Sequence, residues 1–174
     1  MGDAELAAPG ELEHVRRFVN TRDLELGTDT LHTWFAPADL DRAVALREAL
    51  RALLLSNANG EPPPAAAHQT IERIGRRATL RAGGDLRLLP AADAELARLL
   101  AIAVVAQADG TWLRLKACPG DACQWALYDR TRSRTRTWCA AAKCGARTRS
   151  RDYRRRRAAR ERAARSNAAG GGPT

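Results

Sequence analysis

Apolar residues in the first 110 positions recur every three or four residues, which is the spacing of helices that bury one face. In residues 11–21, for example, Leu12, Val15, Phe18 and Val19 fall on the same side of a helix. Such stripes must pack against one another to leave water, so several of them in series indicate a helical domain. The pattern predicts five helices, over residues 11–21, 28–35, 37–56, 68–78 and 93–108.

Two other stretches change to the alternating pattern of strands. Residues 79–90 place short apolar and basic alternations on either side of Gly83 and Gly84, which predicts a β-hairpin. Residues 111–118 alternate in the same way and predict a strand that leads to the first cysteine. The expected fold class is therefore mainly α with a small β component.

Composition divides the chain into three parts. Residues 9–110 contain the apolar stripes and predict a helical N-terminal domain. Residues 111–165 contain all four cysteines and predict a four-cysteine zinc finger, followed by a basic helix from about residue 140. Residues 166–174 are rich in glycine and alanine, so we expect a disordered tail there.

The four cysteines form two closely spaced pairs. Cys118 and Cys123 make one C-x4-C pair, Cys139 and Cys144 make another, and fifteen residues separate the pairs. Two thiol pairs at this separation are typical of one structural Zn²⁺ with tetrahedral coordination. Redox-switched disulfides are the alternative, and the spacing does not fit the common iron–sulfur motifs. Because four thiolates leave no position for water on the metal, we do not expect a catalytic zinc.

Charge is distributed unevenly along the chain. From Lys116 onwards there are 16 basic and 4 acidic residues, a net charge of +12, whereas the first 115 residues have 13 and 16, a net of −3. A near-neutral domain joined to a strongly basic one is typical of proteins that bind nucleic acid. DNA is the expected partner and RNA the alternative. A third hypothesis is a zinc-stabilised protein-interaction adaptor whose basic tail only adds solubility.

The arginines of the basic part form two groups. One group alternates with Thr and Ser between the cysteine pairs, so its members share one side of an extended segment. The other group surrounds the expected helix after the last cysteine. We expect the arginines near the metal to contact base edges and those from residue 154 onwards to contact phosphates. The predicted nucleic-acid-binding residues are Arg132, Arg134, Arg136, Arg147, Arg149, Arg151, Arg154 and Arg155.

Other polar and aromatic residues have structural explanations beside functional ones. Asn20 and Thr21 are candidates for a small-molecule pocket, but we favour a structural role in which Asn20 caps a helix or bonds a backbone group. Trp125 and Trp138 are expected to form a small core under the metal rather than to stack on bases. Tyr128 fits either role.

The sequence shows no pattern of a catalytic or membrane protein. The three histidines are scattered, and there is no nucleophile elbow, phosphate-binding glycine loop or clustered pair of carboxylates, so we do not expect an enzyme. The N-terminus has no apolar signal segment, and the longest apolar run, residues 99–106, is too short to span a bilayer. We therefore expect a cytoplasmic, nucleoid-associated protein with no membrane partner.

The segment from Cys118 to Arg147, CPGDACQWALYDRTRSRTRTWCAAAKCGAR, resembles the CGNR-type zinc finger family of bacterial proteins. Ala146 replaces the signature Asn of that family, and Thr131 and Ser133 stand where Ser and Asn are usual. The matching positions are Cys118, Cys123, Tyr128, Asp129, Arg132, Arg136, Trp138, Cys139, Cys144, Gly145 and Arg147.

The N-terminal half is similar to the helical domain that precedes this finger in stress-induced transcription regulators. The similar segments are FVNTRD, the surroundings of Trp34, and ALREALRALL, so the two resemblances together cover about residues 11–157. They imply one structural zinc ion, DNA binding and a role in transcription regulation or the stress response. The N-terminal domain is then expected to sense a signal or to form a homodimer.

Overall fold

A computed structural model describes residues 3–77, 80–82, 88–90 and 94–170 of the chain. These residues form six α-helices and three two-stranded antiparallel sheets, so the predicted fold class, mainly α with a small β component, is confirmed. Contacts between residues divide the chain into two compact units, residues 1–139 and residues 140–174. The predicted domain limits stay a prediction, because a compact unit defined by contacts is not a functional domain.

The helices of the first unit follow the predicted apolar stripes, with shifts at their ends. A short helix near the N-terminus was not predicted, and the helix predicted from residue 68 begins three residues earlier, after Pro64. Residue 93, the predicted start of the helix over residues 93–108, lies outside the described residues. The helices are α1 (Asp3–Leu6), α2 (Leu12–Val19), α3 (Leu40–Asn59), α4 (Ala65–Gly75) and α5 (Ala94–Ala108).

Helix α3 begins and ends three residues later than predicted and follows a single 3₁₀ turn at Pro37–Asp39. Gly60 ends it with a left-handed φ of 75°, a conformation that glycine adopts without strain, and its N–H bonds the carbonyl of Ser56. The predicted helix ends at residue 56, so Asn57 lies one residue beyond it. It stays helical, and its side-chain amide donates to the carbonyl oxygens of Trp112 (3.0 Å) and Leu115 (2.9 Å).

The helix predicted over residues 28–35 is wrong. Two-residue strands, β1 (Arg22–Asp23) and β2 (Thr28–Asp29), pair instead, and only a 3₁₀ turn follows at Leu31–Thr33. The N–H of Thr30 donates to the carbonyl of Thr21 at 2.8 Å, and the carboxylate of Asp29 accepts the N–H of Leu31 at 3.0 Å. Because the N–H groups of Thr30 and Leu31 donate to acceptors that are not helical carbonyls, the segment forms only a single 3₁₀ turn and no α-helix.

The core of the first unit lies where α2, α3 and α5 pack together. The predicted stripe of α2, which is Leu12, Val15, Phe18 and Val19, is fully or almost fully buried there, which confirms that face. Val44 and Val104, which the same periodicity places on the buried faces of α3 and α5, are instead 38 % and 65 % exposed. At about 25 cal/mol per Å² of apolar surface, each large aliphatic side chain of this core contributes roughly 1.5–3 kcal/mol. The core includes Val15, Phe18, Val19, Leu46, Leu50, Leu54, Leu99 and Leu115.

Two further strand pairs complete the first unit. β3 (Leu80–Ala82) pairs with β4 (Leu88–Pro90), which confirms the predicted hairpin; its turn lies outside the described residues. After a 3₁₀ turn at Trp112–Arg114, β5 (Leu115–Ala117) pairs with β6 (Ala126–Tyr128), which was not predicted. All six residues of β5 and β6 are buried, and β5 packs against α3. The strands of the cysteine-rich segment therefore share the core of the helices.

The second unit is one long helix with a distorted first turn. A turn of π-helix at Ala141–Gly145 continues directly into α6 (Ala146–Gly170). The helix thus extends past residue 165, whereas the sequence predicts a disordered tail from residue 166. Among the helices within the described residues, none is long and apolar enough to cross a membrane.

Candidate metal centre and basic surface

The first cysteine pair is held by the hairpin of β5 and β6. Cys118 follows β5, and its N–H donates to the carbonyl of Trp125 at 3.0 Å. The carbonyl of Gly120 accepts the N–H groups of Cys123 (2.8 Å) and Gln124 (3.2 Å), and Gln124 has a positive φ of 49°. This tight turn reverses the chain and brings Cys123 beside Cys118.

The second pair lies where the π-helical turn begins. The carbonyl of Ala140 accepts the N–H groups of Cys144 (2.8 Å) and Gly145 (3.5 Å), which closes a turn around the last cysteine. Cys118 and Cys144 are buried, and Cys123 and Cys139 are half-buried. A centre with this exposure is shielded from water on most sides.

The four sulfur atoms form a cluster of the size that zinc requires. They all lie within 4.8 Å of one another. A tetrahedral Zn²⁺ with Zn–S bonds of about 2.3 Å separates its sulfurs by about 3.8 Å. The Sγ atoms of Cys123 and Cys139 are 3.4 Å apart, too far for a disulfide bond, and all four cysteines are free. The residues fit one structural zinc ion, as the spacing predicted.

The thiols of this cluster shift one another's pKa values strongly. A hydrogen bond from Cys123 lowers the pKa of Cys118, and hydrogen bonds with Cys118 in turn raise the pKa values of Cys123 and Cys139. Four adjacent thiols cannot all ionise unless a cation balances their charge. A bound divalent metal supplies that charge and releases the protons.

A buried ion pair organises the loop between the two cysteine pairs. Lys116 Nζ donates to Asp129 Oδ2 at 2.8 Å and to the carbonyl oxygens of Arg134 (2.7 Å) and Arg136 (3.0 Å). Asp129 also accepts the N–H (2.9 Å) and hydroxyl (2.6 Å) of Thr131, and the N–H of Arg136 at 2.9 Å. Asp129 is fully buried, and Lys116 is almost fully buried. One lysine and one aspartate therefore fix both ends of the arginine-rich loop.

Asp129 stays ionised in this environment. Burial acts to raise its pKa, but the hydrogen bonds from Lys116 and Thr131 outweigh burial and lower the pKa below the usual value of aspartate. The carboxylate is thus a charged hub at neutral pH, with each oxygen accepting two hydrogen bonds.

The arginines of this loop differ in exposure. Arg132 and Arg134 are exposed, and Arg134 adopts a positive φ of 56°. The side chain of Arg136 is only 17 % exposed. Its guanidinium donates to the carbonyls of Trp138 (3.3 Å) and Cys139 (3.1 Å) and to the carboxylate of Glu5 (3.2 Å). Arg136 therefore supports the metal centre from the protein side, a position that does not suit the base contact expected of it.

The helical part of the first unit bonds directly to the cysteine hairpin, which sequence reasoning missed. The amide of Asn20 donates to the carbonyl of Ala126 at 3.0 Å and accepts the N–H of Ala126 at 2.7 Å. The guanidinium of Arg51, buried in α3, donates to the carbonyls of Val19 (2.7 Å) and Gln124 (2.9 Å). The structural role favoured for Asn20 is therefore the correct one, although its partner is 106 residues away.

Thr21 also has a structural role. Its hydroxyl donates to the carbonyl of Phe18 at 2.8 Å and accepts a hydrogen bond from Arg47 at 3.1 Å. Arg47 is fully buried and also donates to Asp29 at 2.8 Å, while its Nη2 has no partner among the described residues. The sequence could have indicated these contacts, because Arg47 and Arg51 lie within the apolar stripe of α3 and a buried guanidinium requires polar partners.

The aromatic residues of the finger are largely inside. Tyr128 is 7 % exposed and belongs to the core, and the guanidinium of Arg130 lies 5.9 Å from the centre of its ring. Trp125 and Trp138 are half-buried. Tyr128, left open by the sequence, is thus a packing residue rather than a surface for stacking bases.

The second unit presents most of the predicted arginines. Arg147, Arg149, Arg151, Arg154 and Arg155 are all exposed. A shallow concavity on one face is lined by Ala142, Lys143, Ala146, Arg147, Ser150 and Arg154. With about 100° between successive residues of a helix, Arg149 lies roughly 200° around α6 from Arg147 and so on the other side. Arg147 and Arg154 therefore line this concavity, which we call the groove, whereas Arg149, Arg151 and Arg155 do not line it.

The sequence of this region matches a known family. Residues 114–157 match the model of the CGNR zinc finger family, which spans the hairpin, both cysteine pairs and the first part of α6. The chain matches no curated protein.

Proposed function

We propose that the CGNR zinc finger of residues 114–157 makes this protein a DNA-binding transcriptional regulator. The observation that carries the proposal is the groove on the π-helical turn and the first turns of α6, where cations lie beside small side chains. Lys143, Arg147 and Arg154 line it together with Ala142, Ala146 and Ser150. Small side chains let the backbone of DNA approach closely, and the cations around them attract its phosphates.

In this proposal the zinc ion has a structural role and the protein is not an enzyme. Four thiolates complete the tetrahedral coordination of zinc, so no position is left for a reacting water. The metal then fixes the turn from which α6 begins. A helix that starts at a rigid centre can enter the major groove, which is about 12 Å wide, in a defined position.

The distribution of charge along the chain agrees with a DNA-binding role for the finger and α6. The positive charge of the chain is concentrated from Lys116 onwards, where the net charge is +12. Such a charge on a small module raises the rate and affinity of binding to a polyanion. The exposed Arg132 and Arg134 of the loop add to it, whereas Arg136 is engaged within the protein.

A salt titration of the zinc-loaded full chain on duplex DNA tests the proposal. If roughly six phosphates are neutralised, affinity falls about a thousandfold between 50 and 200 mM salt. Sequence selection from a random duplex pool is then expected to enrich one motif at physiological salt. Equal affinity for RNA, heparin and every duplex contradicts a regulator that reads DNA sequence.

The chain offers a matched pair of variants for the groove. Arg154 lines it, whereas Arg156 lies about 200° further around the same helix; both are exposed, and each donates Nε to the carbonyl four residues earlier. Arg154→Ala is expected to weaken DNA binding several-fold more than Arg156→Ala. The two variants remove the same charge, so an equal loss means that only net charge matters.

A further inference from the structure

The first unit contains a large cavity away from the cysteines. Its volume is about 740 Å³. Side chains of α3, α4 and α5 form its walls, and the 3₁₀ turn before β5 closes one end. The residues that carry the apolar walls are Leu50, Leu53, Ile71, Leu100, Ala103 and Trp112. Three helices around a concave space make a pocket rather than a flat surface.

Two large apolar side chains are exposed at the mouth of the cavity. Val104 is 65 % exposed and Leu113 is 59 % exposed, and both line the opening. The charged residues at the rim, Glu72 and Arg76, pair with each other at 2.6 Å. The opening therefore presents Val104 and Leu113 to water beside the exposed polar side chains of His68 and Gln107, and the charges of Glu72 and Arg76 balance each other.

One polar atom of the wall is aimed by its own hydrogen bonds. The amide nitrogen of Asn57 donates to two carbonyl oxygens, those of Trp112 and Leu115, which fixes the orientation of the amide. Its oxygen consequently points the other way, and no donor among the described residues reaches it. An amide oxygen at the wall of an apolar cavity is a ready acceptor for one hydrogen bond.

From these features we propose that the cavity binds one small, neutral, largely apolar organic molecule that donates a hydrogen bond to Asn57 Oδ1. A volume of about 740 Å³ lies within the range of about 300–1,000 Å³ that is usual for small-molecule sites. Such sites combine apolar walls with a few fixed polar groups, which set the orientation of the ligand. An anion or a cation is disfavoured because it would lose its hydration without gaining a counter-charge.

The test uses N-phenyl-1-naphthylamine, a neutral aromatic amine that has one N–H donor and fluoresces strongly when it leaves water. Titrated into the zinc-loaded full chain without DNA, it is expected to bind saturably, with one molecule per chain by calorimetry. Non-saturable fluorescence, or many sites per chain, overturns the proposal, since it indicates general apolar adsorption.

Two neighbouring residues provide a matched pair of variants. Val104 lines the mouth, whereas Val105 does not line the cavity, although the two are similarly exposed at 65 % and 63 %. A carboxylate at the mouth would lose water when an apolar molecule binds, so Val104→Glu is expected to weaken probe binding about tenfold or more. Val105→Glu should leave binding within about twofold, and equal weakening by both overturns the proposal.

Measurement of mass in solution separates a ligand site from a subunit contact. The proposal expects the same mass for the wild type and Val104→Glu at the concentrations of the titration. If the wild type is a dimer that Val104→Glu dissociates, the face is an interface between copies of the chain, and the ligand site is rejected. None of these measurements depends on DNA binding.

Discussion

Lys116 Nζ lies 2.8 Å from Asp129 Oδ2, in an ion pair that is almost completely shielded from water. The same ammonium group bonds the carbonyls of Arg134 and Arg136, and the same carboxylate bonds the N–H groups of Thr131 and Arg136. A single charge pair thereby holds the backbone of the arginine-rich loop, between the two cysteine pairs, in place without a helix or strand. The exposed arginines of that loop therefore extend from a backbone that the buried ion pair holds in one conformation.

The stability of the protein should depend on this ion pair. Asp129→Asn leaves the ammonium of Lys116 buried without its counter-charge, so the free energy of unfolding is expected to fall by about 3–5 kcal/mol. Urea denaturation of the zinc-loaded protein measures it. Lys116→Met in the same background should restore part of the loss, because the unpaired charge is then gone; no coupling between the two substitutions would contradict the role of the pair.

Removal of zinc should destabilise the helical part of the chain as well as the finger. β5 and β6 lie in the core that α3 shares, so loss of the metal frees a hairpin on which the helices pack. Metal binding in such centres is coupled to folding. We expect a chelator to lower the melting temperature of the whole first unit, and hydrogen exchange to accelerate in α3. A helical core with unchanged exchange would show that the two parts fold independently.

Asn20 should be more important for stability than its position after a helix suggests. Asn20→Ala leaves the N–H of Ala126, a residue with no exposed surface, without a side-chain partner. The carbonyl of Ala126 then keeps only the longer hydrogen bond from Arg16 (3.4 Å), and the substitution is expected to cost about 1–3 kcal/mol. Asn20→Asp should cost more, because its carboxylate faces the carbonyl of Ala126. Asn59→Ala, at an exposed site at the end of α3, is the control and should change stability by no more than about 0.5 kcal/mol.

Arg136 and Arg132 should separate metal binding from DNA binding. Arg136 donates to the carbonyl of Cys139, so Arg136→Ala is expected to lower zinc affinity about tenfold in competition with a chelator. Arg132 is exposed, and Arg132→Ala should leave zinc affinity unchanged and weaken DNA binding only. The reverse result would mean that Arg136 leaves its partners to contact DNA.

Residue chemistry made part of this structure predictable. Zinc fixes the spacing and type of its ligands, so the four cysteines could be assigned from the sequence. Apolar periodicity likewise predicted α2, α3, α4 and α5, because each helix must bury one face. These are local rules, and they succeed where one energetic demand dominates.

The remaining features depend on contacts between distant residues. Leu31, Trp34 and Phe35 are spaced as on a helix, yet the chain there forms only one 3₁₀ turn. The N–H groups of Leu31 and Thr30 bond the carboxylate of Asp29 and the carbonyl of Thr21 instead of continuing a helix. The charge of Arg136 suggests a surface role, and only the carbonyls around it show that its donors are occupied. Sequence spacing contains no information about either partner set.

The amide of Asn20 pairs with Ala126 as a neighbouring strand would, through one donor and one acceptor. The cysteine motif can therefore be recognised as a separate unit in sequence but cannot be exchanged as one. A finger recombined onto another scaffold would need an amide at the same place, an arginine equivalent to Arg51 and an apolar face for β5. Gene fusions that supply only the cysteines are expected to give unfolded or aggregating products, so this finger should be inherited together with its helical support.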